Sequence, residues 1–252
     1  MIPLNPLFSS SFLITWTASE PQPPSTAGPH PFHGPYFNPH AIVPFKSMTG
    51  QLKVVLSRSV HQHTHVQLRN PILFHQLRLV LHHAGTITTT VAPVSPLTAD
   101  PMLAAQISPS TDSLSPCLGD PISLFLDKIA TPSSLFTVTK TTNRGHYAVA
   151  RARFGLPDAG GPADVLLWNT KGMITETSVR NLAFFRRGRW VTPHDLTGCL
   201  PGVMRRQLLE QGLVVTDDQG LLSRDNVREG ELVIIFNAVE GCRIAVVHLR
   251  KV

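Results

Sequence analysis

Three cysteines, Cys117, Cys199 and Cys242, are all this chain carries. Their odd number and wide spacing argue against a disulfide framework and predict free thiols, with Cys199 a buried structural one. Charged residues are also scarce, at 15% of 252 positions. No Lys or Arg precedes Lys46, so the opening segment has the basic residues of neither a secretory signal nor a mitochondrial presequence. No apolar run approaches the length of a membrane span. A net charge of +6 invites a nucleic-acid partner, but the Lys and Arg are dispersed. No zinc-finger spacing or aromatic-basic stripe accompanies them, and a mild positive field suits small anionic ligands as well. No internal repeat is evident. These absences predict a soluble cytosolic protein without a nucleic-acid or membrane partner.

Proline, by contrast, is abundant and uneven: close to half of the 22 fall within the first 45 residues. Residues 1–45 therefore read as a disordered, proline-rich arm. Strand-like patches follow at Leu52–Leu56, Leu77–Leu81 and Thr86–Val91, the last after a Gly85 turn. Residues 93–118 are rich in Ser and Pro and read as loop, and Ile122–Leu126 as a buried strand. These patches predict a small domain over residues 46–130. His61, His63 and His65 alternate along this part, but no acidic or cysteine partner accompanies them. They read as the polar face of an edge strand, and no metal site is expected.

Beyond Thr131 the pattern becomes regular. The apolar run Leu135, Phe136 and Val138 reads as strand-like, and Tyr147, Val149, Ala150 and Phe154 as one face of a helix closed near Gly155. Val165–Trp168 turns at Gly172 towards Ile174 and Glu176. Leu182–Phe185 and Trp190–Thr192 flank a hairpin turn at Arg187-Gly188. Met204, Leu208 and Leu209 stripe a helix that opens at Gly202 and stops at Gly212. Leu232–Phe236 and Ile244–Val247 are strands around Gly241. Short strands interleaved with helices predict an α+β fold with a mixed sheet.

Chemistry concentrates at three places in this second half. Lys140 stands in Thr139-Lys140-Thr141-Thr142-Asn143-Arg144, Glu176 in Glu176-Thr177-Ser178-Val179-Arg180-Asn181, and Gly202 in Leu200-Pro201-Gly202-Val203-Met204-Arg205. An amine, a carboxylate and a glycine-opened helix, in that order, are the parts needed to hold pyridoxal phosphate. With Pro132–Thr137, Tyr147–Arg151, Trp190–Pro193 and Phe236–Gly241, these segments resemble the class IV fold type of pyridoxal-phosphate enzymes. That group includes branched-chain aminotransferases, D-amino-acid aminotransferases and 4-amino-4-deoxychorismate lyases, and the likeness is strongest to fungal members of the lyase branch.

The resemblance implies a two-domain fold of the D-amino-acid aminotransferase type, with the cofactor domain at residues 131–252. It implies that Lys140 is the Schiff-base lysine and that Glu176 faces the pyridine nitrogen. Gly202, Val203 and Met204 would offer backbone amides to the phosphate, Asn237 and Ala238 a second phosphate loop, and Ser178 a polar contact near the ring. Met204 and Ala238 lack the hydroxyl that some relatives carry. Arg144, where branched-chain aminotransferases more often have Tyr, is a substrate-side candidate and favours the lyase branch.

The implied reaction converts 4-amino-4-deoxychorismate to 4-aminobenzoate and pyruvate in a homodimer. Amino-group transfer by a class IV aminotransferase and a non-catalytic remnant remain alternatives. The family's phosphate-clamping arginine has no match among Arg58, Arg69 and Arg78, so the N-terminal domain is divergent or incomplete.

Overall fold

The computed structural model describes residues 12–16, 74–81, 87–94, 97, 100–109, 118–158 and 160–249. Three strands, β1 (Phe12–Trp16), β2 (Phe74–Leu81) and β3 (Ile87–Val94), form one small sheet. β1 runs parallel to β2, and β2 antiparallel to β3. β1 falls within the stretch read as a proline-rich arm, and its Phe-Leu-Ile-Thr-Trp contains no proline and is rich in strand-favouring residues; the rest of residues 1–45 lie outside the described residues. The expected strand at 52–56, the Gly85 turn and the His61–His65 run lie outside the described residues.

The remaining strands are β4 (Ile122–Leu126), β5 (Ala163–Trp168), β6 (Ile174–Thr177), β7 (Asn181–Arg186), β8 (Arg189–Thr192), β9 (Val215–Thr216), β10 (Leu232–Asn237) and β11 (Gly241–His248). They join in the order β6-β5-β4-β11-β10-β7-β8-β9. β4 pairs parallel with both β5 and β11, β8 parallel with β9, and the other pairs are antiparallel. The sheet is mixed, as expected. It takes in β4, which precedes residue 131.

Both faces of this sheet are covered. Along β10, Val233 and Ile235 enter one buried cluster with Leu182, Phe184 and Leu166, while Ile234 and Phe236 enter a second. Burial on both sides explains why β10 reads as a continuous apolar run rather than an alternating one. Each such side chain contributes roughly 1.5–3 kcal/mol on leaving water. Helix α3 (Val203–Glu210) lays Met204 and Leu208 on the second cluster, against Trp190. Helix α2 (Gly145–Ala152) covers β5 through Tyr147 and Ala150, with Phe154 just beyond its end. These residues fall on one helical face, whereas Val149 is off it and exposed, contrary to expectation.

Two further expectations are corrected. Leu135–Val138 is a helical turn, α1, not a strand. Ser134 Oγ accepts from Phe136 N–H at 3.2 Å and Thr137 Oγ1 from Ser134 N–H at 3.0 Å, a reciprocal cap that starts a helix. The presumed loop after Pro93 contains a 3₁₀ turn, Leu103–Ala105, whose alanines are buried in the second cluster. The Pro101 carbonyl there accepts from Cys242 N–H at 2.6 Å. Among the described residues no helix is long and apolar enough to cross a membrane.

Candidate active site

Lys140 sits half-buried in the link between α1 and α2. Burial pushes its pKa below the ordinary lysine value, and the nearby Arg144 guanidinium lowers it further. Glu176 opposes this, and Arg78 on β2 adds a smaller repulsion. Burial and the positive neighbours thus act against the protonated amine. Arg144, the N-cap of α2, donates through Nη2 to the Ser178 carbonyl, and its guanidinium lies 4.3 Å above the Tyr147 ring.

Glu176 is buried at the middle of β6. Its Oε1 accepts from the Tyr147 phenol at 2.5 Å and its Oε2 from Leu200 N–H at 3.2 Å. Burial pushes this carboxyl up to about 7, although both hydrogen bonds pull the other way. The phenol is itself raised, by burial and by Glu176, so it remains the donor. The structure thus brings Lys140, Arg144 and Glu176 into one electrostatic neighbourhood.

The bond to Leu200 also ties Glu176 to the approach of α3. Asn181 Nδ2 holds the Leu200 carbonyl at 2.7 Å, and a Cβ on Gly202 would fall 2.1 Å from Asn181 Oδ1. A larger residue at this N-cap would have to displace the Asn181 side chain, and glycine supplies no side-chain acceptor. The first-turn amides of Val203 and Met204 are the groups that attract an anion at a helix start. The Met204 side chain is committed to the core and Val203 points to solvent, so both could contribute only backbone.

Ser178 lies elsewhere in the hydrogen-bond pattern than expected. Its hydroxyl donates to Asp164 Oδ1 at 2.5 Å and accepts from Arg151 Nη1 at 2.9 Å, wholly buried. Asp164 also pairs with Arg180 at 2.7 Å and takes the Thr177 hydroxyl at 2.9 Å. Arg180 then grips Glu240 with Nε and Nη2, at 2.5 and 3.0 Å. Asn237 closes its own turn, accepting from the amides of Val239 and Glu240 and donating to Glu240 Oε2 at 3.2 Å. Ala238 lies in that turn. The 237–240 turn is therefore anchored to the Thr177–Asn181 loop through Arg180.

Sequence reasoning gave no part in the site to Tyr147, Arg151, Asp164, Arg180 or Glu240. Tyr147, Arg151, Arg180 and Glu240 stood inside quoted motifs, but nothing local marks their partners. Cys199 is buried and its thiol pushed up to about 11 by burial, as befits a structural thiol. No cluster of His, Cys, Asp or Glu able to hold a metal occurs among the described residues.

A sequence model of the family described as amino-transferase class IV matches residues 56–246. A Schizosaccharomyces pombe protein provisionally named aminodeoxychorismate lyase is 34% identical over 165 residues, covering 65% of this chain and 62% of that protein. Aminodeoxychorismate lyase of Saccharomyces cerevisiae is 34% identical over 125 residues, 44% of this chain and 33% of its own. Each match spans less than two thirds of the yeast protein. A provisionally assigned amino-acid aminotransferase from Mesorhizobium loti superposes with a TM-score of 0.48 at 23% identity, over 68% of this chain and 71% of that one.

Proposed function

Since the chain belongs to the class IV aminotransferase family, we propose that it is a pyridoxal-phosphate-dependent lyase. Its substrate would be 4-amino-4-deoxychorismate and its products 4-aminobenzoate and pyruvate. The observation that carries this reading is Glu176, a buried carboxylate whose hydrogen-bond partners are a phenol and an amide rather than a cation. A protonated ring nitrogen is the cation it would face, and Lys140, its pKa lowered by burial, lies in the same neighbourhood. The glycine-opened start of α3 suits the phosphate. The residues present therefore fit the cofactor.

Pyridoxal phosphate, when bound, supplies an electron sink for the carbon bearing the substrate amine. Lys140 would hold it covalently, Glu176 would keep its ring nitrogen protonated, and Gly202, Val203 and Met204 would take its phosphate. Asn237 and Ala238 serve as a second loop on the phosphate side. Ser178 acts from behind, through Asp164 and the Arg151 contact, rather than at the ring. Released by substrate, the Lys140 amine takes the proton from the amine-bearing carbon. The carbon–oxygen bond to the enolpyruvyl group breaks, the ring becomes aromatic, and the departing enol gains a proton at carbon to become pyruvate. Arg144 would pair with a substrate carboxylate. A cytosolic location agrees with the free thiols of Cys199 and Cys242, and a homodimer is proposed from the family resemblance alone.

The test is a visible spectrum of this chain reconstituted with pyridoxal phosphate and desalted, beside Lys140→Ala. A retained absorption band in wild type that vanishes in the variant is the expected result. Pyruvate and 4-aminobenzoate should then form without an amino acceptor. Dependence on a 2-oxo acid would point to amino-group transfer, and a folded wild type with no band would refute the enzyme reading.

A further inference from the structure

Tyr147 comes from α2 and Glu176 from β6, 29 residues apart, yet they share a direct hydrogen bond in a buried place. Four groups face that carboxylate: Lys140 from the link after α1, Arg144 from the N-cap of α2, Tyr147, and Cys199 from the approach to α3. Two of these are cations, but Arg144 spends a guanidinium nitrogen on the Ser178 carbonyl rather than on Glu176. Among the described residues the donors to Glu176 are thus one phenol and one backbone amide, one to each oxygen. The Tyr147 ring is itself fixed, with Arg144 4.3 Å above it and the His146 ring centroid 3.9 Å away.

We propose that Tyr147 is the positioning residue of Glu176: its phenol, with the Leu200 amide on the other oxygen, orients the carboxylate and keeps it ionised. The role at the cofactor ring rests on the function proposed above. A carboxylate in a dry site stays charged only if donors replace water. A proton on Glu176 would turn it from acceptor to donor towards the ring nitrogen, and the ring would lose the charge that makes it an electron sink. Arg144, stacked on the phenol, strengthens it as a donor. Burial raises Glu176 to about 7 against the pull of its two donors, so losing one donor favours the proton further.

The readout is urea stability against pH in the cofactor-free protein, taken as the difference between each background and the same background with Glu176→Gln. That difference falls with rising pH and levels off where the folded carboxyl has titrated, near 7 in wild type. In Tyr147→Phe the levelling point should move up by about one pH unit, the worth of one donor to a charged group. The chain has two tyrosines, so 3-fluorotyrosine in a Tyr36→Phe background alters Tyr147 alone. This more acidic phenol should move the levelling point down, and it decides the matter if Tyr147→Phe does not fold. A levelling point that stays put in either case overturns the role of Tyr147. No cofactor enters this measurement, so a missing visible band counts against the functional reading and a motionless levelling point against Tyr147.

Discussion

Glu176→Gln tests the electrostatic core of the site most directly. In the unfolded chain the carboxyl titrates near 4.5, and in the folded one burial pushes it to about 7. A group whose folded value is raised binds its proton more tightly when folded. The associated stability is present in full below pH 4.5 and is lost as pH rises through about 7. The width of that window corresponds to about 3 kcal/mol. Glutamine keeps the shape, cannot ionise, and carries a fixed cost for its amide hydrogens that does not vary with pH. Urea unfolding of both cofactor-free proteins from pH 4 to 8.5, read as a difference, cancels every other titrating group. The expected result is a variant that gains on wild type by about 3 kcal/mol across the window, most steeply between pH 5 and 7. A difference that is flat there would mean that Glu176 titrates as it does in the unfolded chain, and the description of a buried carboxyl with no cation hydrogen-bonded to it would be wrong.

Two further substitutions probe the frame. Gly202→Ala places a methyl 2.1 Å from Asn181 Oδ1; it should cost about 1–3 kcal/mol in thermal unfolding and weaken pyridoxal phosphate retention, with Asn181→Ala restoring part of the stability. Arg180→Met leaves Glu240 without its fork and Asp164 with Arg151 as its remaining ion-pair partner. A loss of about 3–5 kcal/mol is expected, and hydrogen exchange should show the 237–240 turn opening first.

The local features were legible because neighbouring residues decide them. Arg187-Gly188 forms the expected turn, with φ of 52° and 80°, and β10 declares its burial in an unbroken apolar run. Glycine before an amphipathic stretch marks the start of α3, and Lys140, Glu176 and Gly202 stand out through the chemistry of their motifs. The run at Leu135 misled because its composition suits a strand while Ser134 and Thr137 cap a helix, and two hydrogen bonds outweigh a weak propensity. What no local pattern could show is who meets whom across the fold. Arg180 reaches Glu240 over 60 residues and Tyr147 reaches Glu176 over 29. Sequence periodicity says which face of an element is apolar; it carries no information on which element lies opposite. That depends on strand order, on β6 closing one edge of the sheet and on α2 crossing β5, and those are set by the joint burial of both faces. So the sequence by itself determined the reactive groups and the family of chemistry they suit. The tertiary structure alone decided that Glu176 would be dry, held by a phenol, and poised near neutrality, because desolvation is a property of the assembled core and of no residue in isolation.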